Sequence, residues 1–201
     1  MIDQAYINSY MADWRKYGTN SPATLEQRGG LAKIVGMVIR KYEVLSIIDA
    51  PCGDFDHYMG FIDLKYLSYS GYDINTEVIK RNRLIAKSHH ASFNEADIVN
   101  WACPHGHMIV CREFLFHMTL DNALKTIANF KASGSKYLLA TTHGVKANTA
   151  SYQITSDHPE WGYRALNLSL PPFDLGQPIA SHLDPVVAPS LKRSLAVWRM
   201  N

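Results

Sequence analysis

The chain has 201 residues, 47% hydrophobic and 19% charged, an ordinary globular composition with enough length to bury one core. A net charge of +2, from 20 basic and 18 acidic residues without a Lys/Arg run, gives no electrostatic footprint for nucleic acid. Three cysteines without Cys-x-x-Cys spacing argue against a disulfide framework or a structural zinc, and no window approaches the roughly 18 apolar residues of a membrane span. These bounds predict a single domain over 1–201, no metal, no signal peptide and a reducing intracellular compartment.

In chain order, Ile7, Tyr10, Met11 and Trp14 recur at helical spacing, so 3–15 reads as a helix within an N-terminal segment, 1–21, that caps one face or serves as a lid. Ser21-Pro22 signals the start of a second helix reaching 41, with the stripe Leu31, Ile34, Val35, Val38 and Ile39. The run Val44 to Ile48 is a buried strand ending in Asp49, followed by a turn through Ala50, Pro51 and Gly53 and a short helix over 55–62. A second strand, 67–72, ends in Asp73. Asn75 caps the next helix, whose apolar positions are Val78, Ile79, Leu84 and Ile85. Residues 89–93 make a third strand, with Asp97 and Ile98 beyond it, and Met108-Ile109-Val110 a fourth, exiting into Cys111-Arg112-Glu113.

Thr119 and Asp121 open a helix with Leu120, Leu124, Ile127 and Phe130 on its apolar face, broken at Ser133-Gly134-Ser135. Tyr137 to Ala140 is a fifth strand with Thr141-Thr142-His143 at its exit. Residues 144–178 show no periodicity and hold four prolines, which predicts a substrate-covering loop that includes Leu168 to Phe173. Ser194 to Trp198 alternates as a final strand, antiparallel and in a hairpin with one near 179–183. Strand–helix alternation from 22 to 142 makes the fold class α/β with a mostly parallel sheet and an antiparallel C-terminal strand.

Ligands of such sheets bind beyond the carboxyl ends of the strands. Asp73 lies 20 residues past Gly53 at a strand end, where a carboxylate either accepts both hydroxyls of a ribose or caps the following helix. The turn Asp49-Ala50-Pro51-Cys52-Gly53-Asp54-Phe55 resembles the first motif of class I S-adenosylmethionine (SAM) dependent methyltransferases, with Pro51 and Phe55 where two of the motif's glycines usually stand. A small subgroup is similar over about 14–198. It shares the strand ending in Cys-Arg-Glu, His117 beyond it, Thr119-Leu120-Asp121-Asn122-Ala123-Leu124, Leu166 to Phe173 and the Ser194 to Trp198 ending. The chain also resembles the methyltransferase module of multidomain glycan-building enzymes from large DNA viruses, which would set it in a host cytoplasm.

The resemblance implies a Rossmann-like three-layer sandwich with a seven-stranded sheet and SAM as cofactor. It implies contacts from Asp49, Ala50, Pro51, Gly53, Asp54, Asp73, Ile74, Cys111 and Arg112, with Asp97 on the adenine amine and Ile98 on its ring. Methyl transfer to an alcohol needs a base for the hydroxyl proton. His117 fills that role or packs at a helix start, and His143 is the second candidate. Arg112 either touches substrate or salt-bridges Glu113 or Asp54. The acceptor class is a glycan hydroxyl; a small metabolite, RNA or a protein is the alternative, as is a non-catalytic module. An NAD-dependent oxidoreductase shares the strand–turn–acid pattern, but Pro51 and Phe55 replace two glycines that a pyrophosphate approach requires.

Overall fold

The computed structural model describes Asn8 and residues 24–57, 59, 62–86, 90–149, 153–155, 158–186 and 192–200. Apart from Asn8, the helix assigned to 3–15 and the Ser21-Pro22 start lie outside the described residues. The first described helix, α1 (Leu25–Lys41), begins after Thr24. Thr24 Oγ1 accepts the Gln27 N–H at 3.2 Å and Gln27 Oε1 accepts the Thr24 N–H at 2.8 Å. This reciprocal cap satisfies two end donors, so the helix starts three residues later than the Ser-Pro pair signals.

Then follow β1 (Ser46–Asp49), β2 (Ser68–Asp73), α2 (Thr76–Ile85), β3 (Ala91–Glu95), β4 (Met108–Cys111), α3 (Leu120–Ala132), β5 (Tyr137–His143), β6 (Gln153–Thr155), β7 (His158–Tyr163), β8 (Ala180–Leu183) and β9 (Arg193–Arg199). Seven strands form one sheet in the order β3-β2-β1-β4-β5-β9-β8. The β1–β5 pairs are parallel, and β9 runs antiparallel to β5 and β8. Successive residues of the central strands serve opposite faces: Ile47, Met108, Val110 and Leu139 pack with Leu31, Val35 and Val38 of α1. Ile48, Ile109, Leu138 and Trp198 pack with Ala123, Ile127 and Phe130 of α3. This is the three-layer α/β sandwich with a seven-stranded sheet. The strand order reverses between β1 and β4, which opens the crevice beyond their carboxyl ends. Among the described residues no helix is long and apolar enough to cross a membrane.

Several local expectations shift. Of the helix over 55–62, the described residues show a 3-10 turn at Phe55–His57. The third strand is Ala91–Glu95, registered on β2 from Tyr69↔Ala91 to Asp73↔Glu95. β5 continues through His143 because β9 pairs with it as far as His143↔Arg193. Residues 144–178 are not all loop: β6 and β7 form a two-stranded antiparallel sheet, and Leu168 and Phe173 are buried in the core. On α2, Val78 and Ile79 face inward as expected, but Leu84 and Ile85 are exposed and Asn82 is fully buried instead.

Candidate functional site

β1 delivers Asp49 to the reversal point of the sheet. It is 1% exposed, and the Tyr69 hydroxyl of β2 donates to its Oδ2 at 2.7 Å. In the following turn the backbone donors are committed in sequence. The Ala50 N–H goes to the Val110 carbonyl and that of Cys52 to the Tyr72 carbonyl, both at 2.9 Å. Gly53 N–H goes to Asp73 Oδ2 and Phe55 N–H to Asn82 Oδ1, both at 3.0 Å. Pro51 has no N–H. Gly53 sits at φ +49°, the left-handed region that favours glycine, and its carbonyl accepts Asn82 Nδ2 at 2.7 Å. Beneath the turn, a Cβ on Gly71 would lie 2.8 Å from the Phe93 ring and 3.0 Å from Cys52 Sγ, so this strand position must be glycine for the turn to seat. A pyrophosphate is held by a concave array of free backbone N–H groups at a helix start. Here the N–H groups of Ala50, Cys52, Gly53 and Phe55 are spent on β4, β2 and α2, and a 3-10 turn follows in place of a helix.

Asp73, at the end of β2, is 1% exposed. Its Oδ2 takes the Gly53 N–H, and its Oδ1 takes the Asn75 N–H at 2.9 Å. The helix cap is Asn75, whose side-chain oxygen accepts the Glu77 and Val78 N–H groups. Asp73 is therefore not the cap of α2. Burial pushes its pKa up to about 6, against the opposing pull of the Asn75 and Gly53 hydrogen bonds. A carboxylate offers about four acceptor positions. Each oxygen of Asp73 carries one of these backbone bonds, so acceptor positions remain on the carboxylate.

The rest of this side is arranged around that pair. Asp54 is buried and ion-paired at 2.8 Å with Arg81 of α2, which also holds Asp56 at 2.8 Å. Ile74 is half-buried against the α3-side core. Asp97 accepts the Val99 N–H at 3.1 Å and Asn100 Nδ2 at 2.6 Å, fixing the turn after β3. The Ile98 side chain is buried in the core. Cys111 is buried at the end of β4, and burial raises its thiol pKa, so it is an inert wall residue.

Across the crevice the β4 exit is tied to the C-terminal hairpin. Glu113, at φ +57°, is a non-glycine residue in the left-handed region, and its N–H donates to Thr141 Oγ1 at 3.1 Å. Its carboxylate receives Arg193 in two-point fashion, Nη2 at 2.5 Å from Oε1 and Nη1 at 3.2 Å from Oε2. Asp184, at the end of β8, lies 3.2 Å from Arg193 Nε and 3.5 Å from Arg112 Nη2, and Arg112 is 3.2 Å from Glu113. Arg112 thus salt-bridges Glu113, while Asp54 goes to Arg81. His57, at the end of the opening turn, is buried nearby. Its pKa falls to about 4, first through burial and then through the Arg112 charge.

His117 closes the 3-10 segment after β4 and stacks on Phe116 with ring centroids 4.3 Å apart. Phe116 meets His143 edge-on at 5.3 Å and Tyr163 at 5.3 Å. His143 is the last residue of β5. Its Nδ1 is 3.2 Å from the Leu166 N–H donor, and its Nε2 is 2.8 Å from the Tyr163 hydroxyl. Burial lowers the His143 pKa to about 4, so the ring is neutral at physiological pH.

The sequence candidates therefore fall into two groups. Asp49, Ala50, Pro51, Gly53, Asp54, Asp73 and Ile74 converge on the β1–β2 ends, with Asp97 and Ile98 in the turn after β3. Cys111, Arg112, His117 and His143 line the β4–β5 ends. Tyr69, Asn82, Tyr163, Asp184 and Arg193 were missed. Of these, Asn82 left a signal: an amide among the apolar positions of α2. A separate recess of about 390 Å³, lined by Lys65 to Tyr69, His90 and Ser92, opens at the opposite ends of β2 and β3. It gathers no carboxylates, and none of the sequence candidates lines it.

No family model and no curated protein sequence matches the chain. Solved structures do. One is magnesium protoporphyrin IX methyltransferase from Synechocystis PCC 6803 with bound S-adenosylhomocysteine (SAH), at TM-score 0.68 and 10% identity over 99% of this chain and 100% of that one. A second is the N-methyltransferase NodS from Bradyrhizobium japonicum WM9 in complex with SAH, at TM-score 0.65 and 14% identity over 96% and 98%. A third is 1,6-didemethyltoxoflavin-N1-methyltransferase from Burkholderia thailandensis, at TM-score 0.66 and 13% identity over 98% and 86%. The chain has the Rossmann-like fold of these SAM-dependent methyltransferases.

Proposed function

We propose that the protein transfers a methyl group from SAM to a hydroxyl, with a sugar of a glycan as the acceptor class. The observation that carries the cofactor reading is Asp73: a buried strand-end carboxylate, held by backbone N–H groups and not acting as a helix cap, beside a turn whose own N–H groups are already used. That pairing suits a ribose without a pyrophosphate. In this reading Asp49, Ala50, Pro51, Gly53 and Asp54 face the methionine part, Asp73 and Ile74 the ribose and its base, Asp97 and Ile98 the adenine, and Cys111 and Arg112 the β4 wall.

Bound SAM supplies an electrophilic methyl group. The chain's task is to align an oxygen behind that methyl, exclude water and accept a proton. His117 is the base: half-buried past β4, it takes the hydroxyl proton as the oxygen–carbon bond forms and the sulfonium becomes the neutral thioether. The buried ion cluster holds the β4 exit in its strained conformation, so Arg112 acts by positioning Glu113 and His117. The β6–β7 pair, which ends at Tyr163 beside His117, covers the acceptor. The near-neutral net charge favours a sugar over RNA. The acceptors named for the similar structures, a magnesium porphyrin and 1,6-didemethyltoxoflavin, are small molecules.

Calorimetry tests the cofactor half. SAM binds and NAD does not, and Asp73→Ala weakens SAM about 100-fold, the loss of two hydrogen bonds to a charged group at roughly 1.5 kcal/mol each. NAD binding, or unchanged SAM affinity in the variant, refutes the site. The catalytic half is read by SAH release over a panel of methyl glycosides, small alcohols, amines and RNA. His117→Ala abolishes release on the glycosides while SAM still binds; retained turnover removes His117 from the role.

A further inference from the structure

Hydrogen-bond accounting at Leu166 argues for a His143 ring proton on Nε2. The Leu166 carbonyl already accepts the His143 backbone N–H at 2.7 Å and the Thr142 hydroxyl at 3.3 Å. His143 Nδ1 lies 3.3 Å from that doubly used oxygen, but also 3.2 Å from the Leu166 N–H. Leu166 is 1% exposed, and a buried backbone donor is almost always paired. Nδ1 is the acceptor that pairs it. In a neutral imidazole the proton then sits on Nε2, which donates to the Tyr163 oxygen 2.8 Å away. The phenol's own O–H is consequently not directed at His143.

Tyr163 is placed by more than this bond. Its ring meets the Phe116 ring edge-on at 5.3 Å, and the neighbouring Arg164 N–H donates to the Phe116 carbonyl at 3.1 Å. The end of β7 is thereby pinned to the segment that presents His117, whose ring centroid is 6.4 Å from that of Tyr163. Tyr163 is half-buried, and its hydroxyl contact with His143 is likewise only partly buried.

Resting on the methyl-transfer reading, we infer that Tyr163 is an acceptor-binding residue: its O–H donates to an oxygen adjacent to the hydroxyl being methylated, and His143 is a positioning residue that holds it through Nε2–H. A hydrogen bond donated to the attacking oxygen itself would stabilise its lone pairs and lower its nucleophilicity. One oxygen therefore gives its proton to His117 and the neighbouring oxygen accepts from Tyr163. That requirement selects a vicinal diol and, among alcohols, a sugar over a monohydroxy compound.

The test uses the full chain, with methyl hexosides and their analogues lacking one hydroxyl next to the methylated position, read by SAH release. The wild-type kcat/KM is higher for the parent than for the deoxy analogue by about tenfold or more, the worth of a hydrogen bond in a closed site. In Tyr163→Phe that ratio falls to about one, with the SAM Kd unchanged. His143→Ala lowers the ratio and His143→Gln, whose amide N–H can still donate, restores part of it. Equal losses on both acceptors in Tyr163→Phe mean a packing role and overturn the inference. So does ¹⁵N NMR that finds the His143 proton on Nδ1, whichever acceptor is used. Failure of the wild type to bind SAM refutes the cofactor reading instead. Bound SAM with no turnover on any alcohol refutes the hydroxyl reading, and the role of Tyr163 with it.

Discussion

On the β1–β2 side of the crevice, Gly53 reaches Asp73 across 20 residues and Asn82 across 29. On the β4–β5 side, Arg112 reaches Asp184 across 72 residues and Glu113 reaches Arg193 across 80. The first half is mostly local: two strand ends, one turn and one helix hold each other, with one backbone bond from Ala50 to β4. The second half is tied to the C-terminal hairpin and is held by buried charge. A cofactor shared across a fold can be served by local geometry. In the proposed function the acceptor falls to the part assembled from distant segments.

The sharpest way to break this division is to cut the charged clamp. Arg193→Ala leaves Asp184, with a fully buried side chain, and the partly buried Glu113 without their main cation. Removing one partner of a buried pair costs roughly 3–5 kcal/mol. Glu113 keeps a third of its side chain in solvent, so the lower end, about 3 kcal/mol, is expected. Denaturant unfolding measures it as a lower midpoint. If the two halves are independent, the folded variant keeps its SAM affinity within a few-fold. A comparable fall in SAM affinity would mean that the acceptor half also supports the cofactor half.

The same difference in contact range governs what could be seen in the sequence. Asp49, Gly53 and Asp73 were legible because a strand, a tight turn and a second strand follow each other within 28 residues, and the acid stands at a fixed distance from the turn. The Asn75 cap was legible from its residue type and the Glu77 after it. Thr24 lost to the Ser-Pro pair because the two signals lie three residues apart and only the reciprocal Gln27 bond decides between them. Arg112 could be seen, but not its partner Asp184, because no periodicity links β4 to β8. Tyr163 was hidden for a similar reason: 144–178 carries no helical or alternating pattern, and its strands are defined by pairing with each other.

A pH series sharpens the account of the first half. In the proposed site Asp73 accepts the ribose hydroxyls as a carboxylate, and its pKa in the ligand-free fold is raised to about 6. SAM affinity is therefore level above about pH 7 and falls about tenfold per unit below 6. The fold responds in the opposite sense. The folded pKa lies above the ordinary value of 3.8, so the folded chain binds this proton first, and this group favours folding as pH drops from about 6 to about 4. Asp73→Asn removes both dependences. A SAM affinity that stays level through pH 5 in the parent would show that Asp73 does not face the ligand as an anion.

The smallest effect separates ligand group from fold group within one turn of chain. Asn75 caps α2 through its side chain, while its backbone N–H supports Asp73. Asn75→Ala deletes the cap but keeps that N–H, so it costs about 1 kcal/mol of stability, the usual worth of such a cap. SAM affinity should change less than threefold, in contrast to the roughly 100-fold loss on removing the Asp73 carboxylate two residues earlier. If Asn75→Ala weakened SAM as much as Asp73→Ala does, the role of Asp73 would be to hold the helix start in place, and the diol would have to be bound elsewhere.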